Sequence, residues 1–267
     1  MSDEQLAMSF KKVGKQYLNG TTALDSFSLT VKKGDFISFL GPSGCGKSTA
    51  LKMAAGLSEQ TEGEISVFGR SPKQTLQKTN DIGFVFQEAN LLPWRKVLEN
   101  VMLPLELRGG RKAEVKKEAM RILELVGLKE YARAYPRELS GGMKMRVSIA
   151  RTLVAKPKVL LMDEPFAALD ELTRQSLQSE LLDIWEREQM TILFVTHNVY
   201  EAVYLSTSIA VMSSRPGRLT ANLDIDLPYP RIEEMRTSPQ FVHYVEQASM
   251  KLEQKAGEGR QVDASYI

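Results

Sequence analysis

The nonapeptide Gly41-Pro-Ser-Gly-Cys-Gly-Lys-Ser-Thr49 constrains the fold more than any other stretch of this chain. The apolar run Phe36-Ile-Ser-Phe-Leu40 precedes it, and Ala50-Leu-Lys-Met-Ala-Ala55 follows as a helix that stops at Gly56. Strand, glycine loop and helix, in that order, are the setting in which G-x-x-x-x-G-K-[ST] binds phosphate. Gly41, Gly44 and Gly46 permit tight turns, so successive N–H groups can face one anion. The helix N-terminus beyond Gly46 adds unpaired donors and a positive dipole end. Lys47 is suited to reach β- and γ-phosphates, and the Ser48 hydroxyl to ligate Mg2+. Pro42, Ser43, Cys45 and Thr49 complete the set of residues expected around the phosphates.

Charge argues against a nucleic-acid binder. The 35 Lys and Arg against 33 Asp and Glu leave a net +2, far from the footprint that a polyanion requires. The 267 residues suffice for one large α/β domain or a core with an inserted subdomain. A single cysteine, Cys45, excludes an internal disulfide and fits a reducing compartment. It sits in the loop where a small side chain is needed, with no histidine near it in sequence to support a catalytic thiol. The N-terminal Met1-Ser-Asp-Glu-Gln5 is acidic and polar, unlike a signal peptide. No run approaches the roughly 18 apolar residues of a membrane span. The chain is expected to be soluble, with any membrane role exerted through a partner.

Along the chain, residues from about 6 to 33 alternate apolar and polar types around turn signals and predict short antiparallel strands. Tyr17 falls in a loop between them, ahead of Asn19-Gly20, where it can be a sheet aromatic or a platform for a purine. Gly63 to Gly69 reads as another short strand and Asp81 to Phe86 as a buried one that ends at Gln87. Residues from about 90 to 155 lack strong strands. There Ala113, Val115, Ala119, Ile122, Leu123 and Val126 form one helical stripe, closed by Gly127. Ser140 is a natural N-cap for a helix carrying Val147, Ala150 and Val154. Val159-Leu-Leu-Met162 and Ile192-Leu-Phe-Val195 read as buried parallel strands, ending in Asp163-Glu164 and Thr196-His197. Ser208 to Met212 predicts a further strand. Leu223, Ile225 and Leu227 alternate as an edge strand would, and Ser238-Pro239 opens a helix through Phe241, Val245, Ala248 and Leu252.

Parallel strands deliver ligand-binding groups at their carboxyl ends. Those ends supply Gly41 to Ser48, Gln87, Asp163, Glu164 and His197, which are expected to meet in one crevice. Phosphoryl transfer needs an anion cradle, a metal and a group to position water. Asp163 suits the carboxylate that holds Mg2+, Glu164 a general base, and Gln87 a contact to metal or water. His243, the other histidine, lies on the C-terminal helix and takes no assigned role.

Gly41 to Thr49, Gln87, Leu139-Ser-Gly-Gly-Met143, Val159 to Pro165, Ala168-Leu-Asp170 and His197 together resemble ABC-transporter ATP-binding subunits across roughly residues 6 to 215. The Leu-Ser-Gly-Gly element discriminates, since general P-loop kinases and GTPases lack it. The resemblance implies an α/β fold: a RecA-like P-loop NTPase core of parallel sheet, an antiparallel β subdomain, and a helical subdomain inserted at about 90–155. A C-terminal extension would span 216–256 and a disordered tail 257–267. It implies a homodimer in which each ATP lies between one P-loop and Ser140, Gly141 and Gly142 of the second copy. It further places Tyr17 against adenine, His197 on the γ-phosphate and Asp170 at the dimer interface. Many members carry Gln where this chain has Met143, which cannot hydrogen-bond a ribose as an amide can.

Finer features are similar to the nitrate/sulfonate/taurine importer branch: Phe86 to Trp94, the Gly-Gly-Met element, Pro165 to Asp170, Arg215-Pro-Gly-Arg218, Asp226 to Arg231 and Ser238 to Phe241. That likeness implies a subunit peripheral to the cytoplasmic face of the inner membrane, hydrolysing ATP to drive uptake of a small anion. Its partners would be a transmembrane permease, received in part by Leu91, Leu92, Pro93 and Trp94, and indirectly an extracytoplasmic solute-binding protein. Two rivals are a soluble ABC ATPase acting on nucleic acid or ribosomes, and a non-catalytic nucleotide-gated regulator. Near-neutral charge opposes the first, and Glu164 with Gln87 and His197 opposes the second.

Overall fold

The computed structural model describes residues 5–260, with side chains through 253. Its centre is a six-stranded sheet of β3 (Phe36–Leu40), β5 (Ile82–Val85), β6 (Val159–Asp163), β7 (Thr191–Thr196), β8 (Ser208–Met212) and β9 (Leu219–Asp224). The strand order is β5-β6-β7-β3-β8-β9, parallel throughout except for the antiparallel edge strand β9. The side-chain period of two splits these strands between two cores. Phe36, Leu40, Leu160, Met162, Ile192 and Phe194 join one; Ile37, Phe39, Val159, Leu161, Leu193 and Val195 join the other.

A second sheet packs on the latter face, with order β2 (Thr22–Lys32), β1 (Leu6–Gln16), β4 (Glu62–Val67). Its two N-terminal strands run 11 residues each, longer than the short strands expected, because bulges after Phe10 and Val13 let each ribbon bend and continue. Phe10, Phe27 and Phe39 meet edge-on, with ring centroids 5.5–6.4 Å apart. Such pairs contribute about 0.5–1.5 kcal/mol each beyond their burial, and here they fix the small sheet to the strand that carries the glycine loop.

Helix α1 (Lys47–Ala54) follows β3, and α2 (Pro72–Lys78) follows β4. Between β5 and β6 lie α3 (Val97–Glu106), α4 (Lys112–Leu125) and α5 (Gly141–Leu153), with no strand. Helix α6 (Glu171–Glu188) and α7 (Val199–Leu205) flank β7. The parallel α/β core with an antiparallel sheet and helices between β5 and β6 agrees with the fold class read from the sequence.

Two local expectations are corrected, and one helix lies where none was expected. The edge strand is Leu219–Asp224, so Ile225 and Leu227 lie beyond it; both are buried, and Ile225 N makes a last cross-strand bond to Thr207 O at 2.8 Å. Helix α2 carries two signals that the sequence reading passed over, an N-cap at Ser71 and Pro72 at the first helical position. The final helix, α8, runs from Pro239 to Arg260, beyond the expected tail start at 257; residues 261–267 lie outside the described residues. Among the described residues no helix is long and apolar enough to cross a membrane.

Candidate active site

The C-terminal ends of β3, β5 and β6 open into a cleft of about 580 Å3, within the usual range for a small-ligand site. Tyr17, Thr22, Ser43, Gly44, Gly46, Lys47, Ser48, Thr49, Gln87, Asp163 and Glu164 line it. Residues from four separate stretches of sequence therefore meet at one sheet edge. Gly46 takes φ 104°, a conformation that favours glycine, and starts α1. A Cβ there would also sit 2.6 Å from the Ala23 carbonyl, so the wall formed by β2 presses directly on the loop. Lys47 is buried beneath it, and its Nζ donates to Gly41 O at 2.7 Å and Pro42 O at 2.9 Å.

Ser48 Oγ donates to Asp163 Oδ1 at 2.6 Å. A hydroxyl and one carboxylate, with the Gln87 amide on the same cleft, form a hard oxygen donor set. No group of three His, Cys, Asp or Glu able to hold a metal occurs among the described residues. The donors suit a cation that keeps water and substrate phosphate as further ligands, which is how Mg2+ is held. Glu164 adopts φ 46°, in the left-handed region, which costs an L residue about 1–2 kcal/mol. Its N–H donates to Val195 O at 3.1 Å, and its Oε2 lies 3.1 Å from His197 Nδ1. The strained backbone thus turns the carboxylate between the cleft and the histidine on the neighbouring strand end, where outliers of this kind are expected.

Not every expected residue borders the cleft. Gly41 and Pro42 contribute carbonyls to Lys47 instead. The Cys45 side chain points into the core under the loop, and burial pushes its thiol above the ordinary range. His197 lines a small adjoining recess with Glu164, Arg174 and Asn198. Ser140, Gly141 and Gly142 do not line the cleft. Ser140 caps α5, accepting from Met143 N at 3.3 Å, and it and Gly141 are exposed. Gly142 is buried against α6, where a Cβ would meet Thr173 Cγ2 at 2.4 Å. Asp170 caps α6 by accepting from Thr173 N at 3.0 Å, a bond that also holds its carboxyl below the usual range.

Tyr17 stands half-exposed at the mouth of the cleft, its hydroxyl 3.3 Å from Thr49 Oγ1 and Lys15 Nζ 5.4 Å from the ring centroid. Sequence reading missed the opposite wall. The turn after β8 folds back over the glycine loop: Arg215 Nε donates to Gly44 O at 3.0 Å, and Arg215 borders the cleft. Gly217 exchanges backbone hydrogen bonds with β2, through Gly217 N to Ala23 O and Asp25 N to Gly217 O. The available signal was topological. Strand β8 lies beside β3, so the turn that ends it belongs at the same sheet edge as the loop that ends β3.

A profile of the ABC transporter family matches residues 24–167. The chain belongs to the ABC transporter family. This ABC chain is 49% identical over 226 residues to an uncharacterized ABC transporter ATP-binding protein of Methanocaldococcus jannaschii, covering 85% of this chain and 82% of that protein. It is 47% identical over 222 residues to the aliphatic sulfonates import ATP-binding protein SsuB of Bacillus licheniformis, covering 83% of each. A solved dimeric ATP-binding cassette in a post-hydrolysis state, bound to ADP and Pi, superposes with a TM-score of 0.73 at 33% identity. That match covers 83% of this ABC chain and all of the cassette. Membership of this family supports ATP binding and ATP hydrolysis by the chain.

Proposed function

We propose that this chain is the ATP-hydrolysing subunit of an import system for small organic anions of the aliphatic sulfonate class. Two copies would work as a nucleotide sandwich at the cytoplasmic face of the membrane, beneath a permease fed by an extracytoplasmic solute-binding protein. The observation that carries the enzymatic part is the convergence of Ser48, Asp163, Glu164 and Gln87 on the cleft of the glycine loop. The likeness to SsuB over most of both chains supports the substrate class.

The loop N–H groups and the α1 dipole hold the phosphates, and Lys47 exchanges its carbonyl partners for phosphate oxygens. Tyr17 stacks on the base at the mouth, and Thr49 and Arg215 face the nucleotide from opposite sides. Ser48 and Asp163, with Gln87, would hold Mg2+, which would supply charge neutralisation at the phosphates. Glu164 orients the attacking water and accepts its proton; His197 steadies that carboxylate and contacts the terminal phosphate. The exposed cap at Ser140, with Gly141 and Gly142, lies outside its own cleft and would serve the ATP of the second copy. Asp170 stands at the same interface. Loss of the terminal phosphate removes the ligand that both copies share, so hydrolysis opens the pair.

Residues from about 90 to 155 form the part that meets the permease. Asn100 is fully buried, and its side chain bonds the backbones of Leu92, Arg95 and Lys96. That organises a loop from which Trp94 stands 71% exposed. Co-purification with a membrane permease, ATP turnover by the complex, and uptake of isotope-labelled alkanesulfonate by cells test the proposal. Uptake at the parental rate in a strain lacking this chain overturns the substrate class. A complex that binds ATP without turning it over overturns the enzymatic role.

A further inference from the structure

The segment after β9 grips the helix that follows His197. Helix α7 begins two residues beyond His197, with Asn198 as its N-cap. At its far end lies Arg231, which is 4% exposed. Arg231 donates to Val203 O at 3.0 Å, Tyr204 O at 2.7 Å and Ser206 O at 2.9 Å. These are the carbonyls that a helix leaves unpaired at its C-terminus, and a buried cation there also meets the negative end of the dipole. The bond is returned when Tyr204 donates its hydroxyl to Arg231 O at 2.8 Å. Tyr229 covers the Arg231 guanidinium at 4.2 Å, and Phe241 of α8 lies 6.3 Å from the ring of Tyr200.

A second line of contacts runs inward from the same segment. Arg236 lies over the Tyr204 ring at 3.5 Å and donates to Gln178 Oε1 of α6 at 2.7 Å. Gln178, itself buried, donates to Glu201 Oε1 at 3.0 Å. The other Glu201 oxygen accepts from the Thr196 hydroxyl. Thr196 Oγ1 in turn accepts from Asn198 N at 3.0 Å, and Asn198 Oδ1 accepts from Glu201 N at 3.2 Å. His197 is the residue between Thr196 and Asn198. Both of its chain neighbours are therefore held by one buried polar chain, and that chain ends on the guanidinium of Arg236.

We infer that residues 229–236 are a positioning element for His197, acting through Arg236, Gln178, Glu201 and Thr196 and through the Arg231 clamp on α7. The inference rests on the reading of His197 as a residue of ATP turnover. Arg236, Gln178 and Arg231 are positioning residues: none touches the cleft. A half-satisfied buried network is costly, so withdrawing one end should move the others rather than leave them in place. The C-terminal segment is then a handle. Whatever displaces it changes the competence of a histidine that it does not touch.

The chain has two histidines, His197 and His243, which makes the test direct. His243 sits on α8, bonded to Gln247 at 2.7 Å, and reports on the extension itself. Imidazole proton–carbon spectra of the full chain are recorded for the wild type, Arg236→Met and Gln178→Met, with ATP turnover measured in parallel. We expect the His197 signal to shift or broaden in both variants while that of His243 stays. We also expect kcat to fall roughly three- to thirtyfold, the range of such couplings, with little change in KM. Arg236→Lys should recover part of the loss. An unmoved His197 signal in both variants overturns the inference, as does joint movement of both histidines, which marks general loosening. A displaced His197 signal with wild-type kcat leaves the relay standing and instead removes His197 from turnover. Should Arg236→Met fail to fold, Gln178→Met enters the same chain from α6 and decides alone.

Discussion

Gly217 offers the sharpest test of how the turn after β8 supports the glycine loop. A Cβ built on Gly217 would lie 2.0 Å from the carbonyl oxygen of Cys45, with Leu24 Cδ2 at 3.0 Å and Ala23 O at 3.1 Å on other sides. Ordinary contact begins near 3.4 Å, so Gly217→Ala obliges the two backbones to part by about 1.4 Å. The Leu24 methyl can give way, but the Cys45 and Ala23 oxygens are backbone atoms that cannot swing aside. The turn is pinned to β2 by two backbone hydrogen bonds, so much of the displacement falls on the Cys45 peptide, inside the phosphate cradle. Overpacking of this kind costs about 1–3 kcal/mol. The free variant relaxes by shifting the loop, and polyphosphate binding reimposes the strain. We therefore expect ATP affinity to fall about 5- to 150-fold, at roughly tenfold per 1.4 kcal/mol. Calorimetric titration with MgATP, alongside a thermal melt to establish folding, measures it. Arg218→Ala is the control: it removes an exposed ion pair with Asp25 in the same turn, a type worth little, and should bind ATP normally. A Gly217→Ala protein with wild-type affinity would refute the reasoning.

Four further outcomes are expected. Glu164→Gln should bind ATP yet lose turnover and accumulate as a dimer in size-exclusion chromatography; normal hydrolysis would exclude Glu164 as base. Ser140→Arg should retain ATP binding while abolishing turnover, and mixing it with Glu164→Gln should tell whether the two faces act across copies. Arg215→Ala should raise the Kd for ATP more than that for adenosine, because it removes a cation at the phosphate end of the cleft; equal losses would place Arg215 elsewhere. Burial raises the Cys45 pKa, so less thiolate exists at any given pH than for a free thiol. Alkylation near neutrality should be slow, should keep accelerating as pH rises past the ordinary thiol range, and should be rapid in urea; fast reaction of the native protein at pH 7 would contradict the buried placement.

The parts of the site that local sequence dictates were legible. Strand, loop and helix around Gly41 to Thr49 are specified by contiguous residues, as are the carboxylates after Met162 and the cap at Ser140. Topology then brings Gln87, Asp163 and Glu164 to the loop, because parallel strands share one carboxyl edge. Arg215 was not legible in that way. Its relevance depends on β8 lying beside β3, a neighbour relation that no local pattern encodes. The polar chain from Arg236 to Thr196 was hidden for the same reason, since its members lie on α6, α7, the end of β7 and the segment after β9. The misjudged edge strand has another cause. Ile225 and Leu227 continue the alternation of β9 because both are buried, but the antiparallel register with β8 ends at Ser208 and Asp224, beyond which Ile225 N makes one last bond to Thr207 O. Periodicity reads which side chains are covered, not which peptides are paired.

Helix α5 opens at Ser140 and carries Arg151 in its last turn. The Arg151 guanidinium holds Asn90 O at 2.7 Å and Ala89 O at 2.8 Å. Those carbonyls belong to the strip between Gln87 and Trp94, so one rigid rod about 20 Å long has that strip at one end and the exposed cap at the other. Such a rod neither stretches nor bends appreciably under the forces that move loops. A tilt imposed at Trp94 is therefore delivered at Ser140 as displacement, much as a lever reports at its tip what is done at its grip. On the proposed reading of Ser140, whatever leans on the loop after Gln87 would be felt at the ATP of the second copy.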